Sequence, residues 1–295
     1  VRFSEEHPVE EVAADLAQLG EVSRVEYNRT LKRASTQKAI PLTREAMRQM
    51  SASAGNPKFN DPHFGLQWHM VNNGDLGETK FVAGADVNVE KAWELCTGDP
   101  SVVVAILDEG FDVTHPDLQG SLWINEGEIW RSEEDNDGNG YAGDYYGYNF
   151  AAGHGVVSTG GRYDTGHGTH VAGVIAAANN NGIGISSIAG GNGTEPGVKI
   201  MSCQIFSGSL AGTVLDEVRA IKYAADNGAV VLQCSWGYTS GAANPIDWGS
   251  PMYATDEEWE TYNILEKIAL DYFTHTAGSP DGVIDGGIAV FAGGN

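Results

Sequence analysis

Val102-Val103-Val104-Ala105-Ile106-Leu107-Asp108-Glu109-Gly110 is a run of six apolar residues that ends on two acids and a glycine. An apolar run without polar alternation suits a strand that is covered on both faces, as in a parallel sheet packed between helices. Downstream, strand patterns recur over 101–107, 198–206, 229–235 and 287–292, separated by helical patterns over 168–178, 213–226 and near 256–272. This alternation predicts an α/β fold, a doubly wound parallel sheet with right-handed crossovers and helices on both faces. Ligands gather at the C-terminal ends of the strands in such sheets. Asp108, Ser235 and Asn295 all stand at predicted strand ends, so the sheet is expected to bring them into one cleft.

The segment Thr165-Gly166-His167-Gly168-Thr169-His170-Val171-Ala172-Gly173 places a histidine between glycines at the start of a small-residue helix. With an unperturbed pKa of about 6.5, an imidazole there is suited to take a proton from a hydroxyl near neutral pH. Asp108 is the candidate to hold the far ring nitrogen, fixing the tautomer and stabilising the imidazolium. Zinc chemistry competes for the same histidines. Helical zinc pairs stand four residues apart with a glutamate between them, whereas His167 and His170 are three apart with Gly168 and Thr169 between. Serine-type acyl transfer is therefore preferred, and His170 is expected to be a buried partner in helix packing.

In order along the chain, Asp108-Glu109-Gly110-Phe111-Asp112, His115-Pro116-Asp117-Leu118, the His167 segment, Val231-Leu232-Gln233-Cys234-Ser235-Trp236-Gly237 and Gly293-Gly294-Asn295 resemble the subtilisin-like serine proteases. The resemblance implies Asp108 and His167 as catalytic acid and base and Asn295 as the oxyanion donor. It also implies Ser235, Trp236 and Gly237 as the substrate-binding strand, with Phe206-Ser207-Gly208 a further candidate. The family's nucleophile lies in a Gly-Thr-Ser-like helix start after the asparagine, and no Gly-Thr-Ser occurs in these 295 residues. The chain by itself is accordingly expected to be inactive. Tyr238 stands where the family commonly has a small residue, which implies a narrowed specificity pocket.

Calcium is the expected cofactor, at two places. Asp135, Asp137 and Asn139 offer oxygen side chains at alternate positions within a glycine-containing loop, as hard-cation loops do, although position twelve is Tyr146 and not the glutamate of an EF-hand. A solvated acidic turn would read the same way. The second place is implied by the resemblance: Gln67, Asp117, the Asn181 side chain and carbonyls near Asn179, Ile183 and Ile185.

Composition narrows the remaining possibilities. Forty acidic against 17 basic residues give a formal charge of −23, which repels a phosphate backbone and argues against nucleic acid. No run of about 18 apolar residues is present to span a membrane. Cys96, Cys203 and Cys234 make no disulfide framework, and the last two lie in apolar strand-like runs as buried thiols.

At the N-terminal end, Val9, Val12, Ala13 and Leu16 fall at helical spacing from Pro8, and Val22, Val25 and Tyr27 recur in an extended pattern. Residues 1–33 resemble the closing part of a subtilase propeptide, a small α+β remnant. Residues 34–57 read as a linker with a short helical pattern near 44–50, and 58–295 as the catalytic domain, incomplete at its C-terminus. The resemblance implies a polypeptide substrate, the chain's own propeptide as a partner, and a secreted or cell-surface location. The alternative is a catalytically inert subtilase-like peptide-binding or calcium-stabilised scaffold protein.

Overall fold

The structure, a computed structural model, describes residues 8–26, 28, 30–33, 58–74, 82–157, 164–207, 212–237, 255, 257, 259–260 and 263–292. Its centre is a five-stranded sheet made of β2 (Val103–Asp108), β3 (Gly147–Asn149), β4 (Lys199–Gln204), β5 (Ala229–Cys234) and β7 (Ile288–Phe291). The order across the sheet is β3-β4-β2-β5-β7, and every neighbouring pair is parallel. β2 is the middle strand and all six of its residues are buried.

Alternation along β2 divides the core. Val103, Ala105 and Leu107 join Met201, Cys203, Leu232 and Cys234 on one face, whereas Val104 and Ile106 join Ile200 on the other. The first face is closed by helices α4 (Val214–Asp226) and α5 (Ile264–Thr276), through Ala220, Ile221, Tyr223, Ala224, Ala269 and Phe273. The second face is closed by α3 (His167–Ala176), through Ala172 and Ala176. Complete burial of a Val, Leu or Ile contributes about 1.5–3 kcal/mol relative to exposure, so a strand apolar on both sides is held at the centre. A short α2 (Val89–Trp93) packs its Val89 and Trp93 with Phe59, Phe64 and Met70 in a separate cluster.

Local sequence explains the helix starts. Thr213 and Asp216 form a reciprocal capping box at the start of α4. The small residues of α3 let it lie close to the sheet. A Cβ on Gly168 would fall 2.0 Å from the Gly110 carbonyl oxygen and 3.3 Å from Asp108 Oδ1, so only glycine permits this approach. β3 is absent from the sequence-based expectation because three residues beginning with glycine carry no readable period.

At the N-terminal end, α1 (Val9–Ala17) buries none of its residues. β1 (Lys32–Arg33) pairs antiparallel with β6 (Trp236–Gly237), matching Lys32 with Gly237 and Arg33 with Trp236. The Leu31 amide donates to the Gly212 carbonyl (2.7 Å), and Leu31 is buried in the main core. Leu215 N–H donates to Asn28 Oδ1 and Leu265 N–H to Glu26 Oε2, so this segment crosses the first turns of α4 and α5. The extended pattern over Val22 and Val25 is not a strand: the Val22 amide turns back to Leu19, and the pairing near β6 is taken by Lys32 and Arg33. The helical pattern near 44–50 lies outside the described residues. Among the described residues, no helix is long and apolar enough to cross a membrane.

Candidate active site

Asp108 is the last residue of β2, and His167 is the first residue of α3. The two are 59 positions apart in sequence, yet His167 Nδ1 lies 2.9 Å from both Asp108 Oδ1 and Oδ2. Asp108 is 1% exposed, and its Oδ1 also accepts from the Glu109 amide (2.7 Å). An ionised carboxylate only accepts, so Nδ1 carries the proton and Nε2 keeps its lone pair for another donor. This is the arrangement of a general base held by an orienting acid.

Sequence reasoning passes over Glu109. Its carboxylate is 1% exposed, and Oε1 accepts from the His167 amide (2.6 Å), the Thr165 amide (3.0 Å) and the Thr165 hydroxyl (2.9 Å). The one signal for it is an acid placed directly after a candidate catalytic acid, at the end of a buried strand. Thr169 adds a second tie, its hydroxyl accepting from the Asp112 amide (3.0 Å). His170 corrects an expectation: it is exposed, on the wall of a hollow shared with His63, His115, Asp117 and Thr169. Three residues on from His167, it stands only about 60° around α3, and it is exposed because it lines that hollow.

Ser235 is half-buried, and its hydroxyl accepts from Gln233 Nε2 (3.1 Å). The Trp236 side chain faces the core at 1% exposure, edge-on to Phe291, which leaves its backbone and that of Gly237 to pair with β1. Ser207 Oγ accepts from Asn149 Nδ2, and Phe206 is buried. Asn295, Gly208 and Tyr238 lie outside the described residues.

The Subtilase family profile (Peptidase_S8) matches residues 99–295. The chain belongs to the subtilase family. It is 33% identical over 178 residues to halolysin of Haloferax mediterranei, covering 60% of this chain and 26% of that protein. It is 31% identical over 180 residues to the cell wall-associated protease of Bacillus subtilis, covering 60% of this chain and 16% of that protein. The crystal structure of the Aeromonas sobria serine protease with its chaperone shares the fold, with a TM-score of 0.50 at 22% identity over 75% of this chain and 31% of that one. The chain thus spans 26% or less of the length of these two curated relatives.

In this subtilase the carboxylates of the glycine-containing loop are arranged differently from the alternate-position expectation. Asp135 is consumed locally: Oδ1 accepts from the Gly138 and Asn139 amides and Oδ2 from Gly140. Gly138 and Gly140, at φ 77 and 92, wrap the chain around it. Asp137 instead meets Glu128 and Asp144, with one oxygen of each lying within 4.8 Å of the others. Asn139 donates its amide to Asp137 Oδ2 and Asp144 Oδ2, while its oxygen accepts from Tyr141 N–H. Asn125 donates to Asp137 and Asp144 as well. Burial pushes the Asp144 carboxyl above its ordinary range, against hydrogen bonds from Tyr223, Asn139 and Asn125. Glu128 Oε2 is buried and has no hydrogen-bond partner among the described residues.

At the second expected calcium place, Asp117 Oδ1 accepts from Asn181 Nδ2 (2.8 Å) and Oδ2 from the Ile185 amide (3.2 Å). Burial raises the Asp117 carboxyl, although these hydrogen bonds work against it. Asn181 Oδ1 accepts from the Ile183 amide. The Gln67 and Asn179 side chains are bonded at both ends to the backbone of 186–191 and hold the loop from within. Asp61, to which the sequence reading assigns no role, accepts from Asn180, Asn181, Gly182 and Ser186 and so ties the loop to a segment about 120 residues earlier.

Cys203 and Cys234 are buried free thiols, and burial raises both far above the ordinary thiol range. They are unsuited as nucleophiles, since the thiolate is the reactive form.

Proposed function

We propose that this chain is the core of an exported subtilisin-like serine endopeptidase that cleaves peptide bonds through a Ser-His-Asp acyl-enzyme mechanism. One observation carries the reading: His167 Nδ1 stands 2.9 Å from both oxygens of a buried carboxylate at the C-terminal end of the central strand. His167 Nε2 takes the proton of a serine hydroxyl as it attacks the scissile carbonyl, and later gives it to the leaving amine. Asp108 keeps the tautomer and stabilises the imidazolium. Asn295 donates to the oxyanion, a role that rests on the family resemblance. The serine belongs to polypeptide outside these 295 residues.

The β1–β6 pairing supports residues 1–33 as a propeptide partner. Lys32 and Arg33 add to Trp236 and Gly237 by backbone hydrogen bonding, the mode in which an extended substrate adds a strand. While seated there, the segment competes with substrate.

Calcium fits the Glu128–Asp137–Asp144 group best. Three carboxylates converge there, and the Glu128 oxygen left without a donor among the described residues supplies an acceptor for a cation. At the second place, Asp117 and Asn181 remain the side-chain ligands, with carbonyls near Asn179, Ile183 and Ile185. Gln67 braces the loop through both ends of its amide, and its oxygen keeps a second lone pair for the cation.

The test extends the natural chain through its downstream serine and measures peptide hydrolysis and labelling by a serine-directed phosphonate. Activity is expected in the extended form and abolished by His167→Ala, with none in the 295-residue chain. Labelling of the shorter chain, or full activity in the alanine variant, would refute the mechanism. Secreted material is expected to begin near Asp61, and mature protein beginning well upstream of Lys32 would count against the propeptide assignment.

A further inference from the structure

The fold places its candidate base where a positive charge is disfavoured. His167 is the first residue of the ten-residue helix α3, and the N-cap position is Gly166, at φ 81, with no side-chain cap. Unpaired amides and the positive end of the helix dipole concentrate at such a start, and they hold a nearby histidine in its neutral form. A general base must pass through its cationic form during the reaction. Asp108 opposes the dipole from the ring side, at Nδ1.

Glu109 opposes it from the backbone side. Its Oε1 gathers the His167 amide and both donors of Thr165, within 2.6–3.0 Å. The carboxylate is withdrawn from water, so its charge acts through the protein interior, where screening is weak. Around the pair stand Asp108 at the end of β2, Asp112 tied to Thr169, Asp164 beside Thr165, and His170, His115 and His63 along the adjoining hollow. Among the described residues, Asp108 holds the ring of His167 and Glu109 holds the helix start.

We propose that Glu109 is a positioning residue for His167, a buried carboxylate that replaces the N-cap Gly166 lacks and offsets the helix dipole so that the imidazolium can form. The proposal rests on His167 acting as the base. Its first readout is independent of catalysis: the pKa of His167 in this chain, followed by NMR with labelled histidine. Glu109→Gln keeps the size and an acceptor oxygen but removes the charge, and is expected to lower the His167 pKa by about 0.5–1 unit. Thr165→Val, which removes one hydroxyl and leaves the charge, is expected to leave that pKa in place.

A folded Glu109→Gln protein with an unchanged or raised His167 pKa overturns the proposal. Should that variant fail to fold, the carboxyl carbon shift of Glu109 in the unaltered chain decides, because a Glu109 protonated at neutral pH also overturns it. In the serine-containing form, Glu109→Gln is expected to move the acid limb of kcat/KM down by the same interval and to lower kcat about tenfold with KM unchanged. Hydrolysis absent from that unaltered form would sink the protease reading, whereas the histidine titration tests Glu109 separately.

Discussion

Two groups of buried carboxylates in this molecule meet opposite circumstances. At the end of β2, Asp108 faces an imidazole and one backbone amide, and Glu109 faces two amides and a hydroxyl. In the loop over 125–144, Glu128, Asp137 and Asp144 face one another, and the donors around them are neutral amides and the Tyr223 hydroxyl. In the first group each carboxylate is met by donors from distant parts of the chain. In the second, neutral donors answer several carboxylates at once, the crowding on which the proposed calcium site rests. The same residue types therefore meet donors from distant segments in one place and one another in the other, according to what the fold puts beside them.

The largest expected effect breaks the first group. In the serine-containing form, Asp108→Asn should lower kcat on the order of 10⁴-fold by favouring the wrong tautomer of His167. A loss below tenfold in a kinetic assay would mean that Asp108 does not orient the base.

Next comes the second group. Transfer from excess calcium to a chelator should lower the Tm by about 5–10 °C, the effect of losing a ligand held well above its dissociation constant. Glu128→Ala should remove most of that difference in differential scanning fluorimetry. A chelator effect of undiminished size in Glu128→Ala would place the cation elsewhere.

The second group should respond to pH in opposite senses with and without calcium. Burial raises the Asp144 carboxyl in the folded state, so without calcium its contribution is fully present below the ordinary carboxylate range and is lost as pH rises through the raised value. Calcium requires the ionised form and reverses the slope. Asp144→Asn should therefore raise the Tm by a few degrees in chelator at neutral pH, and lower it in calcium. A variant that is less stable in both conditions would contradict this assignment.

The smallest effect uses a third buried acid as the contrast. Glu217 in α4 is 0% exposed, and its carboxyl is raised well above its ordinary range by burial and by Glu266 across in α5. It too favours the folded state at low pH and loses that contribution as pH rises through its raised value. Glu217→Gln should flatten the alkaline decline, raising the Tm by about 2–4 °C at high pH, with no dependence on calcium. A calcium-dependent response would show that the two acid groups are not independent.

Asp108 and His167 are readable in the sequence because each sits at a boundary with a strong local signature, a buried strand ending in an acid and a histidine between glycines. The small-residue face of α3 is similarly local. Glu109 is visible but silent: nothing in one chain position says that its oxygen reaches Thr165 and His167, 56 and 58 residues on. The loop acids mislead in a specific way. Alternate spacing points to Asp135, Asp137 and Asn139, but glycines at positive φ turn Asp135 inward upon its own loop, and Glu128 and Asp144 arrive from either side. His170 reads as a buried partner in helix packing, whereas the hollow it lines leaves it exposed.

What the amino-acid order determined by itself was the alternation of buried strands and covering helices, since hydrophobic burial and local capping act on neighbours in sequence. It likewise determined which residue types stand at strand ends. The tertiary structure alone decided which carboxylates acquire partners: the donors that satisfy Glu109 and the acids that crowd Asp144 come from distant segments, and a buried charge is governed by what lies within a few ångströms of it, wherever those groups occur along the chain.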